Sequence, residues 1–135
     1  MKRLCFILLA GVHWMGCGTE DPVACVSAPA PDCAPAYEAT YSAVYENTIL
    51  RSCAVGGGAC HDAAEPFNGL SLQGEAQSLD TLLSGGWVLP FDPECSEMFV
   101  RIADHGHAGA MPPGSPLSPE EQCAIGQWIE EGALP

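Results

Sequence analysis

Four side chains in this sequence have the chemistry to hold a redox metal group: Cys53, Cys60, His61 and Met111. The first three belong to one stretch, S-C-A-V-G-G-G-A-C-H, in which two cysteines precede a histidine. Covalent haem is attached through C-x-x-C-H, where two thiols bond to one porphyrin and the adjacent histidine reaches the iron from the same side. Here six residues, not two, separate the thiols. The spacing leaves two readings open, a stretched haem attachment site or a Cys53–Cys60 disulfide loop with His61 beside it. In the first, a second axial ligand must come from far along the chain. Met111 is the candidate, because Ala110-Met111-Pro112-Pro113-Gly114 is a stiff loop and a thioether in the sixth position raises the reduction potential. In the second, a short disulfide constrains the unfolded chain by about 2 to 3 kcal/mol, His61 is an ordinary histidine and Met111 a core methionine.

His105 and His107 form an H-x-H pair beside Asp104, able to bind a transition metal weakly or to stand in for Met111 as axial ligand. Cys95 and Cys123 have no second ligand at metal-binding spacing, so they read as a disulfide stapling the third and last helices. Cys25 and Cys33 could close a small local loop, or Cys33 could reach into the domain. No serine elbow, phosphate-binding glycine loop or paired carboxylates stand out, so the chain reads as a carrier or binding module and not as an independent enzyme.

The chain has 135 residues, enough for one domain. Lys2 and Arg3 precede an apolar run from Leu4 to Val12, and Gly16 precedes Cys17. That run is too short for a hydrocarbon layer, which needs about 20 helical residues, and it reads as a signal peptide over residues 1–16. Gly16-Cys17 resembles the lipobox of bacterial lipoproteins, which implies that Cys17 is lipidated and becomes the mature N-terminus. The expected location is exported and anchored to a bacterial membrane through that lipid, periplasmic or at the cell surface. Removal of the leader leaves Arg51 and Arg101 against 17 acidic residues, a formal charge of −15. Such a surface repels phosphate backbones and argues against nucleic-acid binding.

The elements must place these groups. Residues 17–36, rich in Pro, Ala and acid, have the composition of a flexible tether, and the domain is expected over 37–135. Tyr41, Val44, Tyr45 and Ile49 recur at helical spacing and predict a first helix from Tyr37 to Leu50 that runs into Cys53. Glu75 to Leu83 predicts a short helix closed by Gly85-Gly86. Asp92-Pro93-Glu94 predicts the start of a third, with Asp92 as N-cap and Met98, Phe99 and Ile102 as its apolar stripe, ending near Asp104. Ser118, Pro119 and Glu121 spell a capping box for a last helix that buries Ile125, Trp128 and Ile129 and stops at Gly132. The domain is expected to be all-α.

The order of these segments carries a resemblance. Ile49-Leu50-Arg51-Ser52-Cys53 with Cys60-His61, Gly69-Leu70-Ser71-Leu72, Asp92-Pro93-Glu94-Cys95-Ser96 with Arg101-Ile102, Met111-Pro112-Pro113-Gly114, and Trp128-Ile129-Glu130-Glu131-Gly132-Ala133 are the residues concerned. Together they resemble the class I cytochrome c fold, in particular small lipoproteins of the planctomycete and myxobacterial kind that carry a cytochrome c-like domain. The resemblance covers roughly Tyr37 to Pro135. It implies haem c, with thioethers from Cys53 and Cys60 and with His61 and Met111 on the iron, and a redox protein as partner. A haem-free, disulfide-stapled interaction module on the same scaffold is the alternative. A domain serving a larger sensory or enzymatic complex is a third reading.

Overall fold

The first helix begins where its cap allows. Thr40 accepts a hydrogen bond from Ala43 N–H through its side-chain oxygen, so α1 starts at Tyr41 and not at Tyr37. The computed structural model describes residues 24–55, 60–63, 66, 69–106 and 108–135. The segment expected to be a signal peptide, and Cys17, lie outside the described residues.

Helix α1 (Tyr41–Val44) continues without a break into a π-helical segment, Tyr45–Cys53. Its signature is the bond from Ala54 N–H to the Ile49 carbonyl, five residues back, at 2.7 Å. Such segments are rare and short because the wide turn packs poorly along its own axis. This one is held from outside: Tyr41, Val44, Tyr45, Thr48 and Ile49 are all buried against the rest of the domain. It delivers Cys53 at its end.

Helices α2 (Glu75–Ser84), α3 (Glu97–Ala103) and α4 (Pro119–Glu130) follow. No strand occurs among the described residues, and the domain is a small all-α one. Helix α3 starts four residues later than Asp92 would place it. Asp92 caps a turn instead, its Oδ1 accepting from Cys95 N–H at 3.1 Å, and Ser96 becomes the N-cap residue. Ser96 is fully buried, its hydroxyl donating to the Asp92 carbonyl at 2.7 Å and accepting from Leu89 N–H at 2.8 Å. This knot fixes the approach to α3. Helix α4 is capped as its sequence dictates: Ser118 Oγ accepts from Glu121 N–H, and Glu121 Oε2 accepts from Ser118 N–H at 2.9 Å. Trp128 of α4 stacks at 5.1 Å between ring centres against Tyr41 of α1, and Phe99, Ile125 and Ile129 complete the centre of the core.

Two corrections concern the cysteines and the tether. Cys95 and Cys123 are not partners. Cys25 pairs with Cys95 and Cys33 with Cys123, across 70 and 90 residues of chain. The reason is that residues 24–36, expected to be part of a loose tether, lie along the domain as a strap. Val26 N–H bonds to the Glu94 carbonyl, beside Cys95, and Ala36 N–H bonds to the Glu120 carbonyl near the start of α4. Pro29 sits on Gly126, where an added Cβ would meet the proline Cγ at 2.3 Å. Composition alone describes such a segment as unstructured because it has no apolar period; its order comes from two covalent links and a few contacts with α3 and α4. Among the described residues no helix is long and apolar enough to cross a membrane.

Candidate functional site

The six-residue gap between the two thiols is closed by the main chain. His61 N–H donates to the Cys53 carbonyl at 2.9 Å, so Cys53 and His61 are held side by side. Cys53 and Cys60 are both free thiols, each partly buried. The Cys53 thiol is pushed up to about 12, chiefly by its burial, with Cys60 and Glu121 adding in the same direction. The Cys53 thiol at the end of the π-helical segment is therefore neutral at physiological pH.

His61 is aimed by the segment that follows it. Its Nδ1 lies 3.0 Å from the Leu70 carbonyl, and Leu72 N–H bonds to the His61 carbonyl at 2.8 Å. A carbonyl can only accept, so Nδ1 carries the hydrogen and the ring's lone pair belongs to Nε2. Fixing the tautomer through the far nitrogen is how proteins orient a histidine that coordinates a metal. Gly69, at φ +76°, makes the turn that presents Leu70 for this contact.

Met111 faces the same space. Its N–H donates to the Arg101 carbonyl at 2.8 Å, and the peptide bond that follows it, to Pro112, is cis. Cys53, His61 and Met111 together line two adjoining cavities. One, of about 80 Å³, is walled by Leu70, Leu72, Leu82, Trp87, Met98 and Ile102, with Arg101 at its border. The other, of about 130 Å³, reaches outward past Cys60, Pro112 and Pro113. Each is smaller than a porphyrin, yet both open onto the same three ligand-type side chains. Among the described residues no three His, Cys, Asp or Glu side chains gather to hold a lone metal ion. One imidazole and one thioether facing an apolar slot, with two thiols at its mouth, suit a macrocycle that supplies the remaining ligands itself.

The residues singled out from the sequence divide accordingly. Cys53, Cys60, His61 and Met111 come together. His105 is exposed in the loop after α3, and His107 lies outside the described residues. Cys95 and Cys123 are on the strap side, each in a disulfide. Arg101 and the Leu70 carbonyl were not visible as site groups, although both belong to segments that carry the resemblance. A carbonyl has no sequence signature, and an arginine four residues after a glutamate on a helix reads first as a surface pair.

Residues 58–115 match the family model of Planctomycete cytochrome C. The match begins at Gly58, two residues before Cys60, and ends just past Gly114, so it takes in His61, α2, α3 and the Met111 loop. It supports a cytochrome c-like domain. No curated protein and no solved structure matches the chain.

Proposed function

We propose that this cytochrome c-like domain binds one haem c through Cys53 and Cys60, with His61 and Met111 as axial ligands, and passes single electrons to a redox protein. The observation that carries the reading is the shared slot: His61, held by Leu70, and Met111, held by Arg101, line one apolar cavity with Cys53. Haem bound there would supply reversible one-electron iron chemistry. The protein's share is positional. Leu70, Leu72, Leu82, Trp87 and Met98 exclude water, the Leu70 carbonyl keeps the hydrogen on His61 Nδ1, and Pro112 and Pro113 stiffen the loop carrying Met111. The bond from His61 N–H to the Cys53 carbonyl supports the stretched spacing, because it draws Cys53 and His61 to one edge of the slot.

Coexpression with a haem c maturation system, followed by denaturation, tests the attachment. A Soret band that stays with the polypeptide is the expected result; loss of all colour, with mass analysis showing Cys53 joined to Cys60, overturns it and favours the haem-free module. In the holoprotein Met111→Ala lowers the reduction potential, and an unchanged potential would exclude Met111 as ligand. The proposal includes export and a lipid on Cys17. Cys17→Ser should release the protein from membranes, and continued sedimentation with them would refute the anchor.

A further inference from the structure

Arg101 holds the loop that carries Met111 at two points. Its Nη1 donates to the Gly109 carbonyl at 3.1 Å, and its own carbonyl accepts from Met111 N–H at 2.8 Å. The guanidinium is itself fixed by Glu97, one turn earlier on α3, whose Oε1 takes hydrogen bonds from Nε at 2.9 Å and Nη2 at 2.6 Å. A planar fork with several donors can serve a carboxylate on one side and a carbonyl on the other, which a lysine ammonium on a flexible stem cannot do in fixed geometry. Arg101 also borders the apolar cavity, so this clamp lies directly beside the ligand it would position.

The loop between α3 and Met111 holds an alternative ligand. His105 is exposed, six residues before Met111, next to a turn in which Gly106 N–H bonds to Asp104 Oδ1 at 2.8 Å. An imidazole is at least as good an axial ligand as a thioether, so ligand type alone does not decide between the two. Position decides, and position is set between Gly109 and Met111.

We propose that Arg101 is the positioning residue that selects Met111 over His105 for the sixth coordination position, by gripping the Gly109 carbonyl with its side chain and the Met111 amide with its main chain. This rests on the reading of Met111 as an axial ligand. Glu97 is its brace. With the side-chain grip removed, the Gly109 carbonyl loses that bond while the main-chain bonds at Asp104 and Met111 stay, and His105 gains access.

The test uses the holoprotein with Arg101→Gln and Arg101→Lys. Both variants should keep covalent haem. Both should lose the weak near-infrared sulfur-to-iron band of the ferric state and have a lower midpoint potential, Gln more than Lys. Added imidazole should bind about tenfold more tightly or better than to the wild type, the scale of one lost hydrogen bond to a charged group. In the double variant Arg101→Gln, His105→Ala the ferric spectrum should become high-spin. Retention of the band, potential and imidazole affinity in Arg101→Gln would overturn the proposal, as would a double variant that stays low-spin without the methionine band. A wild type lacking the methionine band means that the axial reading itself has failed. The haem-free chain keeps the two failures apart: hydrogen exchange at the Met111 amide should rise about tenfold in Arg101→Gln relative to exchange at Met98. Equal exchange in the two chains would show that Arg101 does not order the loop.

Discussion

At the scale of single residues, polar groups tie the helices of the core together. Tyr37 donates its hydroxyl hydrogen to Thr48 Oγ1, which in turn donates to Glu121 Oε1 at 3.3 Å; Tyr41 bonds to Ser78 beneath the same helix. Burial pushes the Tyr41 phenol up to about 12, and Tyr37 moves in the same direction for the same reason. A phenol near 10 in the unfolded chain and near 12 in the folded one leaves the unfolded state with fewer protons between those values. Stability from this group is complete below pH 10 and declines as pH rises toward 12, at about 1.4 kcal/mol per pH unit for one group. Urea midpoints measured from pH 9 upward should fall accordingly, and Tyr41→Phe should flatten part of that decline. An alkaline limb unchanged by Tyr41→Phe would refute the assignment. The raised Cys53 thiol gives a second expectation. In the folded haem-free chain at about pH 8, iodoacetamide should leave Cys53 unmodified, and unfolding should expose it to ready alkylation.

At the scale of elements, local sequence and tertiary context contributed unequally. Helix α4 was legible to the residue because S-P-E-E writes its cap in side chains that act within four positions. Ser118→Ala should cost about 1 kcal/mol. Glu121→Ala should cost more than Ser118→Ala, since Glu121 also receives the Thr48 hydroxyl and so ties α4 to the π-helical segment. Thermal melts of the two variants check the order, and equal losses would show that the Thr48 contact contributes nothing. The start of α3 was misread because Asp-Pro-Glu suits both a helix N-terminus and a turn; buried Ser96, bonded to both Leu89 and Asp92, decides for the turn. The π-helical continuation of α1 had no signal at all. The spacing of Tyr41, Val44, Tyr45 and Ile49 fits a helix, and only packing selects the wider turn. In the candidate site, His61 and Met111 stood out by their types and neighbours, and the fold brings both to one cavity. The groups that aim them, the Leu70 carbonyl and Arg101, act through the main chain or through distant loops, and no spacing announces that.

For the whole molecule the strap matters most. Two crosslinks spanning 70 and 90 residues each restrict the unfolded chain by about 4 kcal/mol in the entropy model, and because they interleave their effects do not simply add. Replacing Cys33 and Cys123 with serines should lower the urea midpoint by about 1 M or more. Gly126→Ala, which drives a methyl into Pro29, should loosen the strap with both disulfides intact. Limited proteolysis between Ser27 and Asp32 reads the second effect, and an unchanged cleavage rate would mean that Pro29 yields freely. The disulfide framework was legible as a framework, since six cysteines in a small domain expected to be exported call for pairing. Its connectivity was not, because pairing follows proximity in the fold and the strap's course has no apolar pattern to reveal it.

The interleaved links also impose a timetable. A chain emerges N-terminus first, so Cys25 and Cys33 are present before either partner exists. Cys53 and Cys60 arrive next, still ahead of Cys95 and Cys123. Cys25, Cys33, Cys53 and Cys60 thus coexist as thiols before either of the two native pairs can form, and only the arrival of α4 offers Cys33 its mate. Whatever occupies Cys53 and Cys60 early removes them from the wrong pairings with Cys25 and Cys33, so the chemistry at the site and the closure of the fold compete for the same sulfur atoms in time.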